Sequence, residues 1–166
     1  MRVKSVLVML CSVLALQIAN AAEPAASITH KATLDLKTAS RLVQTAQDYA
    51  SQHGWPCAVA VVDDGGWPIL TARMGSAPVV AGIELAQGKA RTSALFKRPS
   101  DDLEKGINGG RTAAITAGLL MMKGGQPIRV EGQVVGAIGV SADTPAHDDE
   151  IALAALQSLQ VLQSHQ

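Results

Sequence analysis

Aromatic residues are scarce in this chain, since 166 residues contain two Trp, one Tyr and one Phe. Proteins that hold single-stranded nucleic acid stack its bases on aromatic side chains. A surplus of positive charge is also lacking, because 14 Lys and Arg residues are balanced by 14 Asp and Glu residues. With neither aromatic platforms nor a basic patch to hold phosphates, nucleic acid is excluded as a partner.

Cysteine is nearly absent, with Cys11 and Cys57 the only two. Cys11 lies in an N-terminal apolar run that we expect to be removed, so one thiol remains and no disulfide can form within the domain. Cys57 precedes the apolar residues 58–62. We interpret it as a buried small hydrophobic residue rather than a reactive thiol.

Metal-ligand patterns are missing too, because none of the four histidines is spaced as a ligand pair and no H-E-x-x-H motif is present. His147 is followed by the acidic triplet 148–150. This group would suit a cation, but negative charge at the start of a helix is the preferred interpretation. The sequence therefore predicts no metal site.

The N-terminus has the pattern of a secretory signal peptide over residues 1–21. Arg2 and Lys4 precede an apolar run at 6–18, and small residues follow, with cleavage expected after Ala21. The run is too short to span a bilayer core of about 30 Å as a helix, and Cys11 lies inside it, which argues against a lipid anchor. We expect a periplasmic or secreted protein with no stable membrane anchor, a flexible arm at 22–32 and one domain at 33–164.

The rest of the chain alternates between helical and strand patterns. Gly54 and Pro99 are predicted to end two helices, Asp63-Asp64-Gly65-Gly66 and Glu131-Gly132-Gln133 to form turns, and Ser100 to cap a short helix. The predicted helices are 34–53, 79–96, 100–105 and a last one after Pro145. The predicted strands are 56–62, 67–74, 127–130 and 134–140, together with 113–122, whose apolar residues also fit a helix and which we assign to a short strand. Consecutive hairpins favour an α+β domain, in which an antiparallel sheet of about five strands is covered by helices. The glycines of 132–139 lie in a hairpin and not between a strand and a helix, so they do not form a dinucleotide-binding turn.

Basic residues and a glycine pair are the candidates for holding a ligand. Lys89 interrupts the buried face of its helix, and Arg111 lies beyond the loop that follows; both suit a ligand carboxylate. Lys97 and Arg98 are interpreted as solvated cations at a helix end. Gly124-Gly125 would let backbone N–H groups approach a ligand closely, or would form a plain turn.

Several motifs together resemble the HbpS/GlcG-like family, also described as haem-degrading or DUF336. They are Ala72-Arg73-Met74, Lys89-Ala90-Arg91-Thr92, Lys97-Arg98-Pro99-Ser100, Gly110-Arg111, Gly124-Gly125-Gln126-Pro127-Ile128 and Val134-Val135-Gly136-Ala137-Ile138-Gly139-Val140-Ser141. The resemblance covers about residues 33–162. It implies a profilin-like antiparallel fold, assembly into dimers or octamers, and members that bind haem or corrinoids, some of them secreted. The chain departs from the family at Met122-Lys123, where Phe-Pro is frequent, and at Ala142, where Gly is common.

The resemblance favours an exported haem (tetrapyrrole)-binding protein that assists haem handling or degradation. Candidate iron ligands are then His53, Met74 and Met122, and candidate partners of the haem carboxylates are Lys89, Arg73 and Arg111. Gly124, Gly125 and Pro127 complete the candidate cofactor-binding set.

Two other hypotheses stay open. One is a module for a small organic acid, linked to glycolate-type metabolism, in which Arg73 and the Gly124-Gly125 bend hold the carboxylate. The other is a non-catalytic oligomeric scaffold. No residue is assigned to catalysis.

Overall fold

The computed structural model describes residues 31–163, and the side chains of 31–159. The predicted signal peptide and nearly all of the predicted arm lie outside the described residues. One compact unit begins at Ala32. Its elements are α1 (Leu36–His53), β1 (Ala58–Asp63), β2 (Pro68–Arg73), α2 (Gly82–Phe96), α3 (Ser100–Asn108), a 3₁₀ helix (Thr112–Ala117), β3 (Gly125–Val130), β4 (Gln133–Ser141) and α4 (Pro145–Gln163).

The sheet has four antiparallel strands in the order β2-β1-β4-β3. Strand β1 lies in the middle, and residues 58–62 are completely buried, as expected for an apolar run with a strand on either side. The β3–β4 turn is tight, with left-handed backbone at Glu131 (φ 49°) and Gly132 (φ 78°). Two such residues match the right-handed twist of a hairpin, so the predicted turn is confirmed.

The two faces of β1 pack against different helices because successive side chains point to opposite sides of the sheet. Val59 and Val61 belong to the main core with α1 and α4. Ala58, Ala60 and Val62 face α2. Small residues bring that helix very close, since a Cβ atom on Gly139 of β4 would overlap the Ala86 carbonyl oxygen. The glycines of β4 thus serve helix–sheet packing.

Helix α1 ends where its sequence pattern predicts and begins two residues later than predicted, at Leu36. At the start, the Asp35 carboxylate accepts the Thr38 N–H at 2.8 Å, which satisfies one of the unpaired amides of the first turn. At the end of the helix, the Gly54 N–H donates hydrogen bonds to the carbonyls of Ala50 and Ser51. The buried face comprises Ala39, Leu42, Val43, Ala46 and Ala50.

The predicted strand at 113–122 is wrong, and the sheet has four strands instead of about five. Residues Thr112–Ala117 form a 3₁₀ helix that ends at Gly118, which has φ 66°. The segment offers Ala and Thr rather than a run of large β-branched residues, and Ile115 is exposed. The chain here forms local hydrogen bonds instead, such as the one that Thr116 Oγ1 donates to the Ala113 carbonyl.

The predicted helix cap by Ser100 is also wrong. The residue at the cap position is Pro99, and no side chain caps α3. The Ser100 hydroxyl instead accepts the Gly125 N–H at 2.8 Å and donates to the Met122 carbonyl at 2.5 Å. Ser100 therefore joins α3 to the start of β3.

Within residues 31–163, no helix combines the length and the apolar character needed to cross a lipid bilayer.

Candidate functional site

Lys89 is buried in the interior between α2, β4 and α4. Its ammonium donates to the Val140 carbonyl at 3.0 Å and pairs with Asp148 Oδ2 at 2.5 Å. Lys89 is 1% exposed and Asp148 5% exposed. The second Asp148 oxygen, Oδ1, accepts the Ala142 N–H. The structure thus gives Lys89 an internal carboxylate partner in place of the ligand carboxylate that the sequence predicts.

Removal from water is the largest influence on the Asp148 carboxyl group. Burial raises its pKa, while the hydrogen bond and charge of Lys89 and the Ala142 N–H act in the opposite direction. Since the Ala142 contact is made by the backbone N–H, the Gly-to-Ala departure at this position leaves the ion pair intact.

The Gly124-Gly125 bend packs directly on the ion pair. Gly124 has φ 111°, and an added Cβ would lie 2.6 Å from Asp148 Cβ. A Cβ on Gly125 would overlap the Lys89 carbonyl oxygen, and its N–H is already bonded to Ser100. Of the two interpretations of the glycine pair, this packing favours a plain turn.

Pro127 follows in β3, opposite Ala137 of β4. Strand β3 is at an edge of the sheet, where a residue without an N–H is tolerated. Its position is explained by the sheet alone.

Arg111 borders an open cavity of about 300 Å³ between the end of α2, α3 and the 3₁₀ helix. The walls are mostly apolar, and two arginines and one carboxylate complete the lining. The lining residues are Phe96, Arg98, Asp102, Leu103, Gly106, Arg111, Ala113, Ala114, Thr116, Ala117 and Met121. Its volume is at the lower end of the range of roughly 300–1,000 Å³ found for small-molecule sites.

The two arginines of this cavity have no carboxylate partner within residues 31–163. Arg98 lies over the Phe96 ring, with Cζ 5.8 Å from the ring centroid. Arg98 is exposed, as the sequence predicts, and it also lines the cavity. An apolar cavity with two guanidinium groups and one carboxylate in its lining has a surplus of positive charge, which suits a hydrophobic ligand that carries carboxylates.

The remaining predicted residues lie outside this cavity lining. Arg73 is exposed at the end of β2. Met74 packs beside Cys57, whose N–H points to the thioether at 3.4 Å. Met122 is exposed, and its carbonyl accepts the Ser100 hydroxyl.

His53 belongs to a stack of rings that joins the end of α1 to the start of α4. Its ring centroid lies 4.1 Å from that of Tyr49 and 4.8 Å from that of Trp55. His147 covers Trp55 at 3.7 Å and bonds Asp143 at 2.7 Å. The structure therefore places His53 in a cluster that holds the two helices together.

The acidic triplet 148–150, near the start of α4, is divided among three partners. Asp148 pairs with Lys89, Asp149 accepts from the Gln126 amide at 2.6 Å, and Glu150 accepts from the Tyr49 hydroxyl at 2.6 Å. No group of three or more metal-ligating side chains occurs in the described part of the chain.

Sequence reasoning missed Phe96 and Met121 as cavity residues and Asp148 as the partner of Lys89. Asp148 is 59 positions from Lys89, so only the fold brings them together. For Met121 the sequence signal is the apolar character of 119–122, which by itself predicts a strand.

The sequence matches a known protein family. Residues 34–157 match the model of the family described as haem degrading protein HbpS-like. The protein belongs to this family, as the resemblance in its motifs predicts.

Individual relatives support the assignment. The chain is 42% identical to protein GlcG of Escherichia coli K12 over 113 residues, which is 67% of this chain and 83% of GlcG. A double mutant of Streptomyces reticuli HbpS superposes with a TM-score of 0.74 at 29% identity, over 84% of this chain and 98% of that one. The PduOC chain in its complex with haem gives 0.69 at 26% identity, over 76% and 95%.

Proposed function

We propose that the protein is an exported haem-binding protein, and that the cavity lined by Phe96, Arg98, Leu103, Arg111 and Met121 is its haem site. The family and the haem complex of PduOC support haem as the ligand. The single observation that carries the location is the pair of arginines beside apolar walls, for which the described side chains provide no carboxylate partner.

The residues of the cavity fit the chemistry of a porphyrin. The Phe96 ring and the side chains of Leu103 and Met121 offer apolar contact to a macrocycle, and exclude water from the face that they cover. Arg98 and Arg111 donate charge-assisted hydrogen bonds to peripheral carboxylates. Because the cavity is small and open, part of the macrocycle stays in solvent with the carboxylates near the exposed arginines.

Bound haem would supply a redox-active iron, and the protein would supply position and surroundings. Asp102 also lines the cavity and opposes part of the positive charge there. Its carboxylate would select the side of the cavity at which the ligand carboxylates bind, since like charges repel. This protein would therefore hold haem by its edge and one face.

Titration of the purified protein with ferric haem tests the proposal. We expect a shifted Soret band with saturation at one haem per chain. Arg98→Ala and Arg111→Ala should each weaken binding about 10- to 150-fold, because each removes a charge-assisted hydrogen bond worth about 1.5–3 kcal/mol. Arg73→Ala is the matched control and should bind as the unmodified protein does. Absence of a Soret shift at micromolar haem would contradict the proposal.

Export is the second part of the proposal. It rests on the charged start, the apolar run at 6–18 and the small residues before Ala22. Mass spectrometry of protein from the periplasm or medium should show a chain that begins at Ala22. Full-length protein confined to the cytoplasm would contradict export and would leave the haem proposal standing.

Assembly into a homo-oligomer is the third part. Large apolar side chains are exposed on and near α2, with Val80 88%, Leu95 41% and Ile83 37% exposed. Burying such side chains against a second copy stabilises an assembly. Light scattering should report a dimer or octamer, and Ile83→Lys with Leu95→Lys should shift the population toward monomer.

A further inference from the structure

Few atoms in the cavity can bind iron. Arginine has no free electron pair to donate at physiological pH. The Thr116 hydroxyl donates to the Ala113 carbonyl within its own helix. Asp102 lies in the first turn of α3, where its charge also suits the helix dipole. The Met121 thioether is the remaining soft donor of the lining.

Met121 and Met122 are adjacent but lie in different surroundings. Met121 is 7% exposed and lines the cavity, whereas Met122 is 38% exposed and is not part of the lining. The backbone of this segment is held in place, since the Leu120 carbonyl accepts the Thr92 hydroxyl at 2.8 Å and the Met122 carbonyl accepts the Ser100 hydroxyl. These two bonds from α2 and α3 fix which methionine is turned inward.

From this geometry we infer that Met121 is the protein ligand of the haem iron, in place of His53, Met74 or Met122. The inference rests on the proposed haem site. Thioether sulfur is an established axial ligand of haem iron, and the flexible methionine side chain adapts to an irregular cavity. His53 is held in its ring stack, and Met74 lies against Cys57, so neither is presented to the cavity.

The two adjacent methionines give a matched pair of variants. Met121→Leu and Met122→Leu conserve volume and apolar character, so both should fold. The haem complexes of the unmodified protein and of each variant are compared by iron K-edge X-ray absorption, which detects sulfur bound to iron, and by Soret titration. We expect an iron–sulfur distance in the unmodified protein and in Met122→Leu. In Met121→Leu the sulfur signal should disappear and affinity should fall at least tenfold.

Met121→His provides a second test. It should replace the sulfur signal with nitrogen and restore haem affinity to within threefold of the unmodified protein, which a purely structural role for Met121 would not produce. If Met121→Leu keeps the sulfur signal, or if the unmodified complex shows none, the iron ligand is a different residue and the inference fails while haem binding stands. If the unmodified protein takes up no haem, both the proposed function and this inference fail.

Discussion

Lys89 and Asp148 form an ion pair in the interior, with 2.5 Å between Nζ and Oδ2. The pair joins α2 to α4, and the Val140 carbonyl and the Ala142 N–H bind its remaining polar atoms. Two charges removed from water are tolerated only when each is neutralised and hydrogen-bonded. Every buried side-chain polar atom in the described part of the chain has such a partner.

Breaking this pair from one side should be severe. Lys89→Met leaves the Asp148 carboxylate buried without its cation, and we expect a loss of about 3–5 kcal/mol in the free energy of unfolding. The double change Lys89→Met with Asp148→Leu should lose less than the sum of the single changes. Urea denaturation followed by circular dichroism measures all three.

The exposed Lys105–Asp101 pair is the control for the buried one. It joins successive turns of α3, and the Lys105 side chain is 69% exposed. Lys105→Met should leave the urea midpoint unchanged, because solvent screens this pair. Equal effects at Lys89 and Lys105 would show that the buried pair has no special role.

The Ser100 hydroxyl gives a test that separates a bridging role from a capping role. Ser100→Ala removes the acceptor of the buried Gly125 N–H, and an unsatisfied buried donor should lower stability by about 1–3 kcal/mol. Asp is as good a helix cap as Ser, so Ser100→Asp would preserve stability if the residue were a cap. At the buried position that the structure shows, Ser100→Asp should be at least as destabilising as Ser100→Ala.

The glycines of the bend are expected to be sensitive to a single added methyl group. Gly125→Ala places Cβ on the Lys89 carbonyl oxygen and should destabilise the protein by about 1–3 kcal/mol, the usual range for overpacking. Gly75→Ala is the control, since no atom lies within 4 Å of its added Cβ. Thermal unfolding should show a lower midpoint for the first variant alone.

The Cys57 thiol should be unreactive in the folded protein. Burial raises its pKa to about 12, with a smaller contribution from the Asp148 charge, so almost no thiolate exists below pH 10. In protein that lacks residues 1–21, Cys57 is the only thiol. At pH 8, a thiol-specific chromogenic reagent should react fully with Cys57 in the denatured protein and very slowly with Cys57 in the native protein. Rapid reaction of the native protein would contradict the buried placement.

Local patterns were sufficient to predict much of the fold. The apolar spacing of α1, the run at 58–62 and the Glu131-Gly132 turn depend on neighbours in sequence, and the structure confirms them. The prediction of a strand at 113–122 is wrong because apolar character alone does not distinguish a strand from a short helix that lines a cavity.

The candidate site was harder to predict because its members come from distant parts of the chain. Arg111 was identified from the sequence, but its neighbours Phe96, Leu103 and Met121 are brought to it only by the packing of α2, α3 and the 3₁₀ helix. Lys89 and Gly125 are predicted from the sequence as ligand-binding positions, and the structure gives both of them internal partners. Their explanation is a tertiary contact with Asp148 and Ser100, which no local pattern encodes.

Nuclear magnetic resonance with ferric haem tests the location of the site most directly, because the paramagnetic iron broadens amide signals near it. We expect added haem to broaden the signals of Phe96, Leu103, Arg111 and Met121 first. The signals of His53, Trp55 and Arg73 should stay sharp at one equivalent of haem. Broadening centred on the ring stack of His53 and Trp55, with the cavity signals unchanged, would contradict the proposed haem site.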